Sequence, residues 1–119
     1  TTASKIVSMV YEAGAKEVHL GITCPPIKFP DYYGIDTPKH EELMASNYTL
    51  SEMTKIVGAR SLFFLSLKGT YAAMGYKNRD DKNPQFSDHC FTGDYPTPLQ
   101  DNSTEWHRAP SQLATYEDE

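Results

Sequence analysis

Apolar positions come in blocks of distinct period along this chain. Ile6, Val7, Met9, Val10 and Ala13 recur at intervals of three and four residues, a spacing that gathers side chains on one face of an α-helix. Thr2 or Ser4 is placed to cap that helix, and Gly14 falls where a left-handed C′ residue ends one. Val18 to Thr23 is a short run rich in branched residues and is stopped by Cys24-Pro25-Pro26, because neither proline donates to a ladder. Residues 25–38 hold four prolines, two tyrosines and one glycine, which predicts an irregular loop of a length that is usually functional or docked. Helical patterns follow over 39–46 and 50–57, the second with Thr49 or Ser51 as cap and Gly58 as terminator. Ser61 to Ser66 is continuously apolar between its serines, as expected of a strand buried on both faces. A short helix over 67–74 then ends at Gly75. The order helix, strand, helices, strand, helix predicts an α/β layer fold with parallel strands. Two strands alone make an incomplete sheet.

Composition changes this picture in two respects. The chain has 119 residues, 39% of them hydrophobic, with a net charge of −5 and two cysteines, Cys24 and Cys90. That length predicts one domain able to bury roughly two-thirds of its unfolded surface. Its longest apolar runs, such as Leu62-Phe63-Phe64-Leu65, fall far short of the ~18–20 residues of a membrane-spanning helix, so no membrane partner is expected. With no basic-then-apolar opening and no disulfide framework, a cytoplasmic location is expected. The acidic balance argues against nucleic acid as a partner. Charge is also uneven: residues 1–75 carry seven basic and seven acidic side chains, whereas 76–119 carry four against nine. The entire net charge therefore lies after Gly75, in a segment poor in aliphatic residues. We expect residues 1–75 to be the folded portion and 76–119 an irregular, acidic, extended C-terminal segment. The opening Thr1-Thr2, without methionine, suggests a piece of a longer chain.

Candidate chemistry is sparse. No glycine-rich phosphate motif is present. Thr1 and Thr2 stand before the first helix, where free N–H groups and the positive end of the helix dipole favour an anion; a plain N-cap is the simpler role. Asp88-His89-Cys90 are ligand-type residues, but neighbours in sequence seldom converge on one ion. His19 reads as a packed or half-exposed strand residue, His40 as part of an acidic helix start, and His107 belongs to the tail. None has a nucleophile tied to it by spacing. Cys24, at a strand end, is the one nucleophile candidate in the first part, with a buried free thiol as the commoner fate. Glu41-Glu42 and Asp80-Asp81 read as solvated surface.

Several strings taken in order carry more information: Thr1-Thr2 before a helix, EAGAKEVH over 12–19, PPIKFP over 25–30, YGIDTP over 33–38, IVGA over 56–59 and CFTGDYP over 90–96. Together they resemble the C-terminal end of the amidophosphoribosyltransferase family, over residues 1–98. The resemblance implies the C-terminal part of a type I phosphoribosyltransferase fold. It further implies an enzyme that forms 5-phosphoribosylamine from phosphoribosyl pyrophosphate and glutamine, opening purine nucleotide synthesis, with magnesium as cofactor, purine nucleotides as feedback ligands and a homo-oligomeric state. Thr1 and Thr2 match the last two positions of the family's Arg-Gly-Thr-Thr loop, which binds the 5′-phosphate. The aspartates of that signature, and the magnesium ligands, would lie upstream, so no catalytic residue is expected in this chain and the chain alone is expected to be inactive.

Departures from the family matter as well. Some members bind a four-iron cluster through cysteines, and two of the matching positions here are Asp31 and Ser87, with Cys90 alone preserved. No iron–sulfur cluster is expected. Gly21 stands where many relatives carry arginine. Lys28 and Tyr33 in the 25–38 loop are as well suited to packing as to contacting a nucleotide. The rival reading is a non-catalytic, nucleotide-responsive regulator on the same scaffold.

Overall fold

The computed structural model describes residues 2–99. Helix α1 (Thr2–Glu12) leads into strand β1 (His19–Ile22); after the 25–38 loop come a single 3-10 turn (His40–Glu42), α2 (Met44–Asn47) and α3 (Leu50–Val57). Strand β2 (Ser61–Phe64), α4 (Leu67–Ala73) and α5 (His89–Thr92) complete the order. The two strands pair in parallel with Leu20 opposite Leu62 and Ile22 opposite Phe64. Further bonds run from Arg60 N–H to the Val18 carbonyl and from Leu65 N–H to that of Ile22, at 2.8 and 2.9 Å.

Local chemistry explains most of the element ends. At the end of α1, Gly14 adopts φ 99°. Its N–H donates to the Tyr11 carbonyl and that of Ala15 to Val10, the paired bonds of a Schellman motif. Thr49 opens α3 with a full capping box: its hydroxyl accepts from Glu52 N–H at 3.3 Å, and the Glu52 carboxylate accepts from Thr49 N–H at 2.8 Å. The bond from Thr49 N–H, followed by one that the Thr49 hydroxyl donates at 3.0 Å, holds the Glu52 carboxyl below its usual range. Gly58 ends the helix in the left-handed region, φ 75°. Ser66 caps α4 by accepting from Gly69 N–H at 2.9 Å.

Three expectations need correction. Thr2 and Ser4 both lie inside α1, at its first and third positions, rather than at the cap position before it. The 39–46 segment is not one helix, because Leu43 is extended (φ −73°, ψ 120°) and separates the 3-10 turn from α2. Leu43 is buried, and the Asn47 side-chain amide donates to the carbonyls of Glu41 and Leu43 at 2.9 and 2.8 Å. Burying Leu43 and satisfying those carbonyls outweighs continuous helix. Lastly, among the described residues β2 is covered on one face only. Met53 and Val57 of α3 pack on Leu62, joined by Ala3, Leu20, Ile22, Met44, Ala45, Ala59 and Phe64. On the opposite face Phe63 is 58% exposed and its ring lies over Gly21, where a Cβ would meet it at 2.6 Å.

Candidate functional site

Residues 28–33 of the 25–38 loop are fastened to α5 and the residues just after it through backbone and side chain together. Lys28 and Phe29 N–H groups both donate to the Cys90 carbonyl, at 3.0 and 3.1 Å. Gly93, which ends α5 at φ 73°, lets the Phe29 ring approach to within 2.9 Å of where a Cβ would stand. The Tyr95 hydroxyl donates to the Pro30 carbonyl at 2.7 Å, and Tyr33 shares a 2.9 Å hydrogen bond with the Thr97 hydroxyl. Asp31 shapes the turn beneath: one carboxylate oxygen accepts from Tyr33 and Ile35 N–H at 2.9 and 2.8 Å, an Asx-type arrangement. Its other oxygen faces His89 Nε2 in a direct contact. Asp31 and His89 are both buried, and the rings of Tyr33, near-perpendicular, and Tyr95, tilted, flank the imidazole at ring separations of 4.9 and 5.3 Å. The backbone bond from Ile35, followed by the bond from His89, holds the Asp31 carboxyl below the usual carboxylate range.

Beside this pair a second polar centre is built around Arg79. Its Nε donates to Asp88 at 2.6 Å, and its terminal nitrogens reach Asp88, Asp94 and Asp81 at 3.1, 2.6 and 3.0 Å. Tyr71 of α4 adds a hydroxyl donated to Asp88 at 2.8 Å. Burial alone pushes Asp88 up, but Arg79 and Tyr71 together bring its carboxyl below the ordinary value. Burial and the same carboxylate push Tyr71 up to about 12. Three carboxylates around one guanidinium leave it neutralised and held in place. This centre is structural, and it anchors the acidic segment after Gly75, which among the described residues forms only the one short helix.

The predicted site residues separate in this fold. Thr1 lies outside the described residues, as does His107. Thr2 is the first residue of α1 and is exposed, and the next residue, Ala3, anchors that helix end on the core. Cys24 and Cys90 are free and half-buried. His19 shares a 2.7 Å hydrogen bond with the Ser61 hydroxyl and faces Glu17 at 3.3 Å on the exposed side of the sheet. His40 lies 6.0 Å from the Phe29 ring. Glu41 and Glu42 are exposed. Asp80 and Asp81 are exposed too, yet Asp80 accepts from Lys82 and Asn83 N–H groups and Asp81 pairs with Arg79.

The Asp88-His89-Cys90 reading requires a correction. Asp88 turns to Arg79, while His89 and Cys90 converge with Asp31, one ligand-type atom from each lying within 4.8 Å of the others. Asp88 stands before α5 with a non-helical backbone (φ −115°, ψ 15°), whereas His89 and Cys90 belong to the helix, and the loop brings Asp31 to His89 across 58 positions. No local spacing encodes that meeting; its one signal was the family alignment of positions 31 and 90. A four-iron cluster does not fit here, because the Asp31 carboxylate and Ser87 supply no thiolate and Asp31 is already engaged by His89.

No protein-family model matches the chain. It is 53% identical over 106 residues to the amidophosphoribosyltransferase of Rhizobium etli, covering 88% of this chain and 21% of that protein. It is 48% identical over 99 residues to the Bacillus subtilis enzyme, covering 83% of this chain and 21% of that one. Among solved structures, the B. subtilis glutamine phosphoribosylpyrophosphate amidotransferase complexed with ADP and GMP matches with a TM-score of 0.74 at 45% identity, over 89% of this chain and 23% of that one. The α/β arrangement is thus that of the corresponding part of a type I phosphoribosyltransferase fold. The chain spans about a fifth of the length of the relatives it matches, and it belongs, as the counterpart of their C-terminal part, to the amidophosphoribosyltransferase family.

Proposed function

We propose that the protein containing this chain transfers ammonia from glutamine to phosphoribosyl pyrophosphate, giving 5-phosphoribosylamine at the first committed step of purine synthesis. The observation that carries the reading is 53% identity to an amidophosphoribosyltransferase across 88% of the chain. Within that reaction Thr1 and Thr2 receive the 5′-phosphate, with backbone N–H groups of the first turn of α1 as further donors. That turn has no acidic side chain to repel a phosphate. For the same reason it offers magnesium no carboxylate, and the metal's ligands belong to the upstream part of the signature. Purine nucleotides are the proposed feedback ligands, supported by the ADP and GMP in the B. subtilis relative.

The test is made on the intact protein. Thr2→Val is expected to raise KM for phosphoribosyl pyrophosphate about tenfold, the loss of one hydrogen bond to a charged group. Glutamine hydrolysis measured without phosphoribosyl pyrophosphate should be unchanged. Absence of phosphoribosylamine formation by the wild type sinks the enzyme reading; an unchanged KM removes Thr2 from the phosphate site.

A further inference from the structure

We propose that the hydrogen bond between Asp31 and His89, with no metal taking part, is the clasp that closes residues 28–37 on α5. Asp31 uses its two oxygens for two purposes. One accepts from Tyr33 and Ile35 N–H and builds the turn, while the other meets His89 Nε2. The carboxylate thereby joins the internal shape of the loop to its docking. Both partners are out of water, with 3% of the Asp31 side chain and 7% of the His89 side chain exposed, and a bond to an ionised carboxylate is stronger than one between neutral groups. The other side-chain ties, from Tyr95 to the Pro30 carbonyl and between Tyr33 and Thr97, join neutral groups that are less buried. Loss of the histidine strands a buried carboxylate oxygen, which costs more than the loss of either neutral bond.

The imidazole is set for this bond and not for an ion. With the proton on Nε2 donated to Asp31, the lone pair lies on Nδ1 at the opposite edge of the ring, and Nδ1 is buried without a hydrogen-bond partner. Interiors tolerate an unfilled acceptor better than an unfilled N–H donor, which favours this tautomer. One ion cannot be shared by Asp31 and Nδ1 across the ring. Burial, followed by the charge of Asp31, pushes the Cys90 thiol up, away from the thiolate that a metal requires. What Cys90 gives to the contact is its carbonyl, which accepts from Lys28 and Phe29 N–H at 3.0 and 3.1 Å. A cluster ligated at the positions of Asp31 and Cys90 would tie together the same two segments. Here a donor and an acceptor tie them, so the closure has no metal to lose.

The experiment uses the intact protein, purified without oxygen, and reads amide hydrogen exchange at Lys28 and Phe29, whose N–H groups bond to the Cys90 carbonyl and to neither member of the pair. His89→Leu is expected to speed exchange there about 10- to 100-fold, as for a buried charged group left unpaired, while α3 keeps the wild-type rate. Asp31→Asn, close to isosteric, should act in the same direction at the same two amides, and adding it to His89→Leu should have less effect than it has alone, because both remove one interaction. His89→Gln, whose amide N–H reaches the place of Nε2, should restore most of the protection, which a purely space-filling ring would not explain. Treatment of the wild type with a metal chelator or with ferricyanide should leave both amides unchanged. Unchanged exchange in both His89→Leu and Asp31→Asn overturns the clasp, as does a stoichiometric metal in the wild type whose removal by chelator speeds exchange at Lys28 and Phe29. Neither result bears on whether the protein makes phosphoribosylamine.

Discussion

At the residue scale, the side chains that matter most here are charged groups taken out of water and then satisfied. Arg79 has 11% of its side chain exposed and Asp88 has 5%. Removing one partner strands the other, so Arg79→Met is expected to destabilise the intact protein by about 3–5 kcal/mol in denaturant titration. Tyr71→Phe, which deletes the hydroxyl donated to Asp88, should cost about 1.5 kcal/mol, as for a hydrogen bond to a charged group. Protons act on the same groups. The Asp31 and Asp88 carboxyls both titrate below their ordinary values in the folded chain. Their contribution is therefore fully present above the unfolded carboxylate value, about pH 4, and is lost as pH falls through the lower folded values. Amide hydrogen exchange of residues 28–37 and 88–95 should accelerate in that acid range. Asp31→Asn should flatten the response in the first segment more than in the second. Faster exchange on raising the pH from 5 to 7 instead, at constant intrinsic rate, would contradict the assignment.

At the element scale, helix ends were the most legible features, because a cap is a local contract between residues three or four apart. Thr49 and Gly58 act as their spacing predicts, with Glu52 completing the capping box, and Thr49→Ala is expected to cost about 1 kcal/mol by thermal unfolding. The strands were legible as strands, but their faces were not. Ser61 to Ser66 reads as buried on both sides, yet among the described residues only the face bearing Leu62 and Phe64 meets the helices. Which neighbour covers the other face is a property of three-dimensional packing, not of strand pattern. Gly21 on that open face now has a physical account: the Phe63 ring occupies the space above it. Because that ring is exposed and free to rotate away, Gly21→Arg should cost less than ~1 kcal/mol, and Phe63→Ala should abolish most of the cost in a double-mutant cycle. A penalty untouched by Phe63→Ala would place the constraint in the backbone instead.

At the scale of the whole molecule, the chain is a part whose exposed apolar residues, Ile6, Met9 and Phe63 among them, accompany a length about one-fifth that of its relatives. Among the described residues no histidine or carboxylate is placed to activate Cys24, and Asp31–His89 is enclosed by tyrosines. The isolated 119-residue chain is accordingly expected to hydrolyse no glutamine and to form no phosphoribosylamine in a coupled assay; turnover above the no-protein rate would overturn that expectation. Sequence by itself determined helices α1, α3 and α4 with the Thr49 cap and the glycine ends, the two strands, the irregular 25–38 loop and, through strings such as YGIDTP and CFTGDYP, the family. These are set by interactions between near neighbours or by residue identity. Only the tertiary structure decided that Asp31, His89 and Cys90 meet, that Arg79 gathers three carboxylates, and which face of β2 is covered. The Asp31–His89 contact closes a separation of 58 residues, and its register depends on how a proline-rich loop and a four-residue helix dock on each other. Periodicity does not encode such docking, because it is settled by burial and by the pairing of charges once water has been excluded.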